Sequence, residues 1–151
     1  MYFDKHLCLF HLDVANQTEL FEKMFKKLYE NGFVKQSYLN GIIKREKEYP
    51  TGILFADTGF AIPHTDSVHV IKSQICFASL KQPIIFSDMT DMENQISVEL
   101  VFMLAMSQPH EQVGTLQNLM NLFQDERAVK QLKECSSEEE FVEILKQSNV
   151  Q

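Results

Sequence analysis

The sequence predicts an α/β fold in which a mixed β-sheet is flanked by helices on both sides, as a single-domain sandwich over residues 1–151. Two observations lead to this fold class. Strand-like stretches alternate with segments of helical periodicity along most of the chain. One strand-like stretch, residues 96–106, is apolar almost throughout, which is typical of a strand buried on both faces. Helices are therefore expected on both sides of the sheet.

The first third of the chain predicts one strand followed by two helices. Residues 6–14 alternate between apolar and polar side chains, as a half-buried strand does. Asn16, with a glutamate three positions later, resembles a capping box and opens a helix that ends at Asn31. A second helix is predicted over residues 37–48, because apolar side chains recur there at helical spacing until Pro50 ends the run.

Periodicity of either kind vanishes after this second helix. Residues 50–66 contain two glycines, two prolines and several small polar residues. The sequence therefore predicts a long loop over residues 51–66. A loop of this length inside a compact domain is usually functional.

The rest of the chain predicts strands first and helices afterwards. The predicted strands cover residues 73–80, 83–86 and 96–106, and the predicted helices begin at Pro109 or His110, at Asp125 and at Glu138. A serine pair precedes the last helix and is expected to cap it.

The composition excludes several classes of protein. The chain is 44% hydrophobic and 23% charged, which excludes long disorder and low-complexity structure. Its net charge of −7 repels phosphate backbones, so no nucleic-acid role is expected. The longest apolar stretches fall far short of the roughly 20 residues of a membrane helix, and no secretory leader opens the chain. A cytoplasmic protein without direct membrane insertion is expected.

The cysteines and two of the histidines are expected to be structural. Cys8, Cys76 and Cys135 are far apart, odd in number and without a C-x-x-C pair. Free reduced thiols are therefore predicted, with the first two in a core, and a catalytic thiol is the minor alternative. His6 and His11 on the first predicted strand are interpreted as structural or exposed.

His64 is the strongest candidate for chemistry, since a proline-fixed turn presents it directly after an apolar stretch. An imidazole with a pKa near 6.5 keeps one nitrogen free near neutral pH, so it serves as a nucleophile and group carrier. On spacing alone, a structural or surface histidine remains an equal interpretation. A metal site formed with Asp66 and His69 is a third one.

Known signatures of nucleotide and hydrolase sites are absent from the sequence. It contains no G-x-x-x-x-G-K-[ST], G-x-G-x-x-G, G-x-S-x-G or H-E-x-x-H motif. Any phosphate chemistry must therefore use side chains, and neither a cofactor nor a metal is expected.

Three blocks of sequence carry a resemblance to a known family. They are R-E-K-E-Y-P-T-G-I at residues 45–53, A-I-P-H at 61–64 and P-H-E-Q-V at 109–113. Together they resemble the IIA component of the sugar phosphotransferase system (PTS), in its fructose/mannitol-type superfamily. The first block and its spacing to the second most resemble the galactitol-type branch. The resemblance covers nearly the whole chain.

This resemblance implies a phosphotransferase that works through a phosphohistidine. The phosphocarrier HPr would pass a phosphoryl group to His64, and this protein would hand it to a cysteine of the cognate IIB protein, which serves the membrane component IIC. Galactitol or a related polyol is the implied substrate of the transporter. The family fold, a mixed sheet flanked by helices, agrees with the prediction from periodicity.

The resemblance also implies two further site residues. Arg45 matches the active-site arginine of the family, and a guanidinium offers forked donors that suit phosphoryl oxygens. His110 matches a second histidine of mannitol-type members, at the mouth of a helix that favours anions. Without the resemblance, Arg45 is better explained as a solvated helix residue paired with Glu46 or Glu48. For His110, an exposed capping residue is an equal interpretation. Thr51 and Thr65 are candidates for hydroxyl contacts.

Two questions stay open at the level of sequence. The first is where partners dock, for which Phe55, Phe60, Ile62, Met89 and Met92 are candidates, with core packing as the alternative. The second is whether the protein serves transport. The alternative function is a regulatory IIA-like protein whose phosphorylation state controls a partner protein.

Overall fold

The computed structural model describes Phe3 and residues 7–148 of the chain. His6 lies outside the described residues. The strands are β1 (Cys8–Leu12), β2 (Gly52–Phe55), β3 (Thr58–Ala61), β4 (Gln74–Ser87) and β5 (Gln95–Ala105). The helices are α1 (Gln17–Glu30), α2 (Tyr38–Glu48), α3 (Pro109–Phe123), α4 (Glu126–Glu134) and α5 (Glu138–Gln147), and a 3₁₀ turn covers Ser67–His69.

The five strands form one mixed sheet in the order β1-β4-β5-β3-β2. β1 pairs with β4 and β3 pairs with β5 in parallel, whereas the β4–β5 and β2–β3 pairs are antiparallel. Parallel neighbours need crossover connections. The connection from β1 to β4 includes α1 and α2, whereas the connection from β3 to β5 runs through β4 itself. The predicted α/β fold with a mixed sheet is confirmed.

β5 lies at the centre of the sheet and faces two cores. Leu100, Phe102 and Leu104 belong to a core with side chains of α3, α4 and α5. Val101 and Met103 alternate with them and belong to a second core with side chains of α1 and α2. Burying one such side chain contributes roughly 1.5–3 kcal/mol. The prediction of a central strand buried on both faces, with helices on both sides, is confirmed.

The prediction of a long loop over residues 51–66 is wrong for most of that range. The hairpin of β2 and β3 occupies it, and Ala56 and Asp57 form the connection between the paired residues Phe55 and Thr58. Each strand has only four residues, which is too short for a visible period. Gly59 interrupts the apolar pattern further. Glycine is required there, because a Cβ would clash with the Ser97 carbonyl oxygen of β5.

The other predicted elements differ from the observed ones only in detail. The two strands predicted over residues 73–80 and 83–86 are one strand, β4, whose register against β5 shifts between Ser79 and Ile84. Such an irregularity interrupts the sequence pattern but not the strand. The helix caps are as predicted, since the side chains of Asn16 and Ser137 each accept a backbone N–H of the first turn.

The three cysteines are free and buried. Burial raises the pKa of Cys8 to about 12 and that of Cys135 to about 11, and it also raises the pKa of Cys76. The thiolate is the reactive form, so these thiols are chemically inert near neutral pH. The prediction of core thiols is confirmed for Cys8 and Cys76. None of the helices formed by the described residues combines the length and apolarity that crossing a bilayer requires.

Candidate functional site

His64 lies where the chain leaves the sheet after β3. The backbone N–H of Leu104 in β5 donates to the carbonyl oxygen of Pro63 over 2.9 Å, which extends the parallel pairing to the histidine. The buried hydroxyl of Tyr38 donates to the carbonyl oxygen of Leu104 over 2.6 Å. The segment that carries His64 is therefore fixed to the central strand, and the central strand is fixed to α2.

The imidazole of His64 has a defined tautomer. Its Nδ1 lies 2.7 Å from the carbonyl oxygen of Ile62. A carbonyl oxygen only accepts, so Nδ1 carries the proton and Nε2 keeps its lone pair. Burial lowers the pKa of His64 and the Arg45 charge lowers it further, which outweighs the Ile62 hydrogen bond and the charge of Asp66. Near neutral pH the ring is neutral, with Nε2 available as a nucleophile.

Arg45 lies on α2 and reaches across to the turn after His64. Its Nη1 is 3.4 Å from Oδ1 of Asp66, and its Cζ lies 4.8 Å from the ring centre of Tyr49 one helical turn further on. The Nε of Arg45 is buried and has no hydrogen-bond partner among the described residues. The guanidinium thus has unused donors next to the segment of His64.

Glu46 fixes the end of α2. Its side chain is buried and accepts the backbone N–H of Thr51 over 2.7 Å and the Thr51 hydroxyl over 2.8 Å. The Thr51 hydroxyl therefore already donates its proton to Glu46. The sequence suggested that this hydroxyl contacts a phosphoryl group, and the structure shows a different partner. Because Glu46 is the neighbour of Arg45, these two hydrogen bonds hold the helix turn of Arg45 against the start of β2.

The turn after His64 packs closely on α2. A Cβ at Gly41 would lie 2.9 Å from Oγ1 of Thr65 and 3.1 Å from Cδ2 of His69. His69 also shares a hydrogen bond of 2.8 Å between its Nδ1 and the Ser37 hydroxyl. Thr65 is buried. The absence of a side chain at Gly41 is therefore what lets the turn with Asp66 approach Arg45.

His110 stands at the same edge of the sheet as His64. It is the second residue of α3, which begins shortly after β5 ends, and its side chain is exposed. Within the described part of the chain it makes no hydrogen bond or ion pair. The helix is capped by Glu111, which accepts the backbone N–H of Gln108 over 3.1 Å, so His110 is not the capping residue.

The metal interpretation of this region finds no support. Nδ1 of His69 is engaged by Ser37, while the Asp66 carboxylate pairs with Arg45. Among Phe3 and residues 7–148, no group of three or more His, Cys, Asp and Glu side chains is arranged to hold a metal ion.

The docking residues considered from the sequence separate into two sets. Phe60 and Ile62 are fully buried, so the docking interpretation is wrong for them, and Phe55 packs on Phe60. Met89 and Met92 are exposed, but they lie in the β4–β5 connection. A cavity of about 560 Å³ lined by Phe55, Thr58, Phe123, Val129 and Lys130, among others, adjoins the start of β3, the end opposite His64.

Sequence reasoning missed two features near His64. Tyr49 lies four residues after Arg45, and this spacing on a helix signals contact between the side chains. Val68 is 64% exposed in the turn after His64, so it offers apolar surface beside the histidine. The sequence around Val68 has no regular spacing of apolar residues, so it gives no signal that this side chain is exposed.

Residues 1–148 match the family described as phosphoenolpyruvate-dependent sugar phosphotransferase system, EIIA 2. The chain is 26% identical over 121 residues to the galactitol-specific EIIA component of the PTS of Escherichia coli K12, which covers 80% of each chain.

Solved structures have the same fold. A Streptococcus mutans chain, PtxA, that is assigned as a PTS IIA superposes with a TM-score of 0.82 at 21% identity, over 98% of this chain and 92% of that one. The mannitol IIA of Escherichia coli, in complex with phosphorylated mannitol IIB, superposes with a TM-score of 0.74 at 22% identity, over 93% and 94%. The family model spans nearly the whole chain, and this protein is therefore a phosphotransferase that belongs to the EIIA 2 family of the sugar phosphotransferase system.

Proposed function

We propose that this protein accepts a phosphoryl group from phospho-HPr on Nε2 of His64 and passes it to a cysteine of its cognate IIB protein. The observation that carries the proposal is the hydrogen bond from Nδ1 of His64 to the Ile62 carbonyl oxygen, 2.7 Å long. It orients the ring and directs the free lone pair to the opposite nitrogen. An orienting partner of this kind is the usual companion of a nucleophilic side chain.

The proposed reaction consists of two displacements at phosphorus. In the first, the lone pair of His64 Nε2 forms a P–N bond while the P–N bond of phospho-HPr breaks, and the HPr imidazole keeps the electron pair. In the second, a cysteine thiolate of IIB attacks phosphorus, an S–P bond forms and the bond to Nε2 breaks. Nδ1 keeps its proton throughout and donates it in the hydrogen bond to the Ile62 carbonyl oxygen.

Arg45 supplies the positive charge that this transfer needs. Phosphorylation brings about two negative charges to His64 at neutral pH. Protein groups act on phosphoryl transfer mainly by positioning and by electrostatic stabilisation. Arg45 lies within reach of the neighbouring turn, and its buried Nε lacks a partner among the described residues. Its fork of N–H donors suits two phosphoryl oxygens at once.

His110 is a second, optional donor to the phosphoryl group. It lies in the first turn of α3, where the exposed backbone N–H groups and the helix dipole favour an anion. Because His110 is exposed and unpaired within the described part of the chain, its side chain is free to turn toward phospho-His64 without losing a hydrogen bond.

The transporter that this protein serves is proposed to handle galactitol or a related polyol. The support is the likeness to the galactitol-specific EIIA component, at 26% identity over 80% of each chain. The sugar itself binds to the membrane component, so no sugar pocket is expected beside His64.

Intact-mass spectrometry tests the relay. The protein is mixed with phosphoenolpyruvate, Enzyme I and HPr at neutral or alkaline pH, because phosphohistidine is labile to acid. We expect the wild type to gain one phosphoryl group and His64→Ala to gain none. His11→Asn is the matched control, since His11 is an exposed histidine on β1 with a φ of +50°, which Asn tolerates. A wild type that stays unmodified would contradict the proposal.

Adding IIB separates the transport role from the regulatory alternative. A transport component loses its phosphoryl group to the IIB cysteine within seconds to minutes, and the mass gain moves from one protein to the other. A regulatory protein keeps its phosphoryl group in the presence of IIB. The candidate IIB proteins are those encoded beside this protein, and a IIB with its cysteine replaced by serine is the control.

A further inference from the structure

Asp66 is the one anionic partner of Arg45 among the described residues. The pair has a single contact, 3.4 Å between Nη1 and Oδ1, and the Asp66 side chain is 74% exposed. Exposed ion pairs with one contact contribute little free energy, because water and salt screen them. Asp66 therefore binds the guanidinium only weakly, and a more highly charged anion can replace Asp66 as the partner of Arg45.

The position of the Asp66 backbone is fixed by its neighbours. On one side, Thr65 is buried against the space left by Gly41. On the other side, the backbone N–H of His69 donates to the Asp66 carbonyl oxygen over 3.2 Å, and His69 is itself tied to Ser37 of the segment before α2. The backbone that carries the Asp66 carboxylate thus stays beside α2 when the long Arg45 side chain moves.

Phosphorylation of His64 introduces a competitor for the same guanidinium. A phosphoryl group offers three acceptor oxygens and nearly two negative charges, whereas Asp66 offers one exposed carboxylate. Among the described residues, the buried Nε of Arg45 has no hydrogen-bond partner while His64 is unphosphorylated. A hydrogen bond from this donor to the phosphoryl group would therefore replace no existing one. The remaining cost of binding is the loss of the pair with Asp66.

We propose that Asp66 is a positioning residue that holds Arg45 while His64 is unphosphorylated and competes for it once His64 carries the phosphoryl group. This inference rests on the proposed relay function. A guanidinium bound only to the phosphoryl group would stabilise the phosphohistidine and slow its onward transfer, since only interactions that strengthen in the transition state speed a reaction. The competition by Asp66 lowers the stability of phospho-His64 and keeps its phosphoryl group transferable.

The test is the equilibrium between phospho-HPr and this protein, measured by mass spectrometry on wild type and Asp66→Asn. Removing the competing carboxylate is expected to shift the equilibrium toward phospho-His64 by about two- to fivefold, the range of an exposed ion pair. Asp57→Asn is the matched control, because it makes the same charge change at the exposed tip of the β2–β3 hairpin, at the far end of β3. An equilibrium that is unchanged in Asp66→Asn would overturn the inference.

A double-mutant cycle distinguishes competition for Arg45 from direct repulsion by the Asp66 charge. In an Arg45→Gln background, Asp66→Asn is expected to change the equilibrium by less than half as much as in wild type. A change of the same size in both backgrounds would mean that Asp66 repels the phosphoryl group directly, and the inference would be wrong.

The Arg45 Nε–H signal in NMR spectra provides an independent readout. It is expected to shift in Asp66→Asn and to shift again when His64 is phosphorylated, whereas Asp57→Asn leaves it in place. An Arg45 Nε–H signal that does not shift in Asp66→Asn would also overturn the inference. If wild type takes up no phosphoryl group at all, the proposed relay fails and this inference fails with it, an outcome that differs from normal uptake with an unchanged Asp66→Asn equilibrium.

Discussion

The Nδ1 of His64 donates a hydrogen bond to the carbonyl oxygen of Ile62, two residues earlier in the chain. Pro63 between them fixes the backbone, and its own carbonyl accepts from Leu104 of β5 over 2.9 Å. The orientation of the imidazole is therefore set by the sheet and not by the turn alone. Because the same hydrogen bond decides which nitrogen keeps a lone pair, it links the position of β5 to the chemistry of His64.

The first prediction concerns the pH dependence of His64. Burial, assisted by the Arg45 charge, lowers its pKa below the ordinary value of 6.5. A lowered folded-state pKa means that His64 favours the folded state above the unfolded pKa, and that this contribution is lost as pH falls through the folded pKa. Uptake of the phosphoryl group is expected to be flat from pH 7 to 8 and to decline only below the ordinary histidine range.

NMR titration of the His64 imidazole checks this expectation. A midpoint for His64 at or above the ordinary histidine value of 6.5 would contradict the prediction. His64→Gln is expected to reduce the loss of stability on acidification without changing stability near pH 8.

The second prediction concerns Arg45. Arg45→Ala is expected to slow uptake of the phosphoryl group by about 10²- to 10³-fold, the usual cost of removing one preorganised donor to a developing charge. Arg45→Lys keeps the charge but not the planar fork of donors, so its rate of uptake is expected to lie between those of wild type and Arg45→Ala. Time courses of the mass gain measure both variants. Lys44→Ala is the control, since Lys44 is an exposed neighbour on α2, and equal loss in this variant would argue against a specific role of Arg45.

The third prediction concerns the hydrogen bonds between Glu46 and Thr51. Thr51→Val keeps the shape of the side chain but removes the hydroxyl that donates to buried Glu46 over 2.8 Å. A buried acceptor that loses its donor costs about 1–3 kcal/mol, and the free energy of unfolding is expected to fall by that amount. Burial already raises the pKa of Glu46, and the loss of this hydrogen bond raises it further.

Urea unfolding of Thr51→Val and Thr51→Ser measures this effect. The serine variant keeps the hydroxyl and is expected to lose less than half as much stability as the valine variant. A larger loss in the serine variant than in the valine variant would show that the methyl group and not the hydrogen bond stabilises this part of the structure.

The fourth prediction compares two helical glycines. A Cβ at Gly114 of α3 would meet no atom of another described residue outside its own helix within 4 Å, so Gly114→Ala is expected to stabilise the protein by roughly 0.5–1 kcal/mol through helix propensity. A Cβ at Gly41 of α2 would lie 2.9 Å from Thr65 Oγ1, so Gly41→Ala must displace the turn that carries Asp66. We expect this variant to gain no stability and to take up the phosphoryl group more slowly.

Thermal unfolding and uptake assays on the two alanine variants check the comparison. Gly114→Ala is the matched control for helix propensity, and its uptake rate is expected to equal that of wild type. A Gly41→Ala variant with the stability gain and the uptake rate of Gly114→Ala would show that the close packing of the turn on α2 has no role in the site.

The sequence predicted those parts of the fold whose signals are local. Asn16 and Ser137 each supply the side-chain oxygen that a first helical turn requires, and both cap their helices as predicted. The central strand was recognisable because burial on both faces of its second half, residues 100–105, leaves no position there for polar residues. The hairpin of β2 and β3 was missed, because its four-residue strands are buried in part by each other and by β5 and show no period.

For the candidate site, the sequence identified residues but not their partners. Arg45 and His64 follow from short blocks that resemble a known family, and their roles stay predictions. Arg45 and Asp66 are 21 positions apart, and their contact depends on how the turn after β3 packs on α2. The burial of Phe60 and Ile62 depends likewise on β5 lying beside β3, which the alternation of residues around them did not reveal.

Fold class, helix boundaries and family follow from local sequence, because capping, periodicity and short motifs are properties of neighbouring residues. Tertiary packing establishes the tautomer of His64, the engagement of Thr51 by Glu46 and the pairing of Arg45 with Asp66. Each of these is a hydrogen bond or ion pair whose geometry is set by the order of the strands and by the packing of α2 on the turn after β3. Hydrogen bonds form only over a few tenths of an ångström in distance, and that precision comes from the packed structure rather than from local sequence.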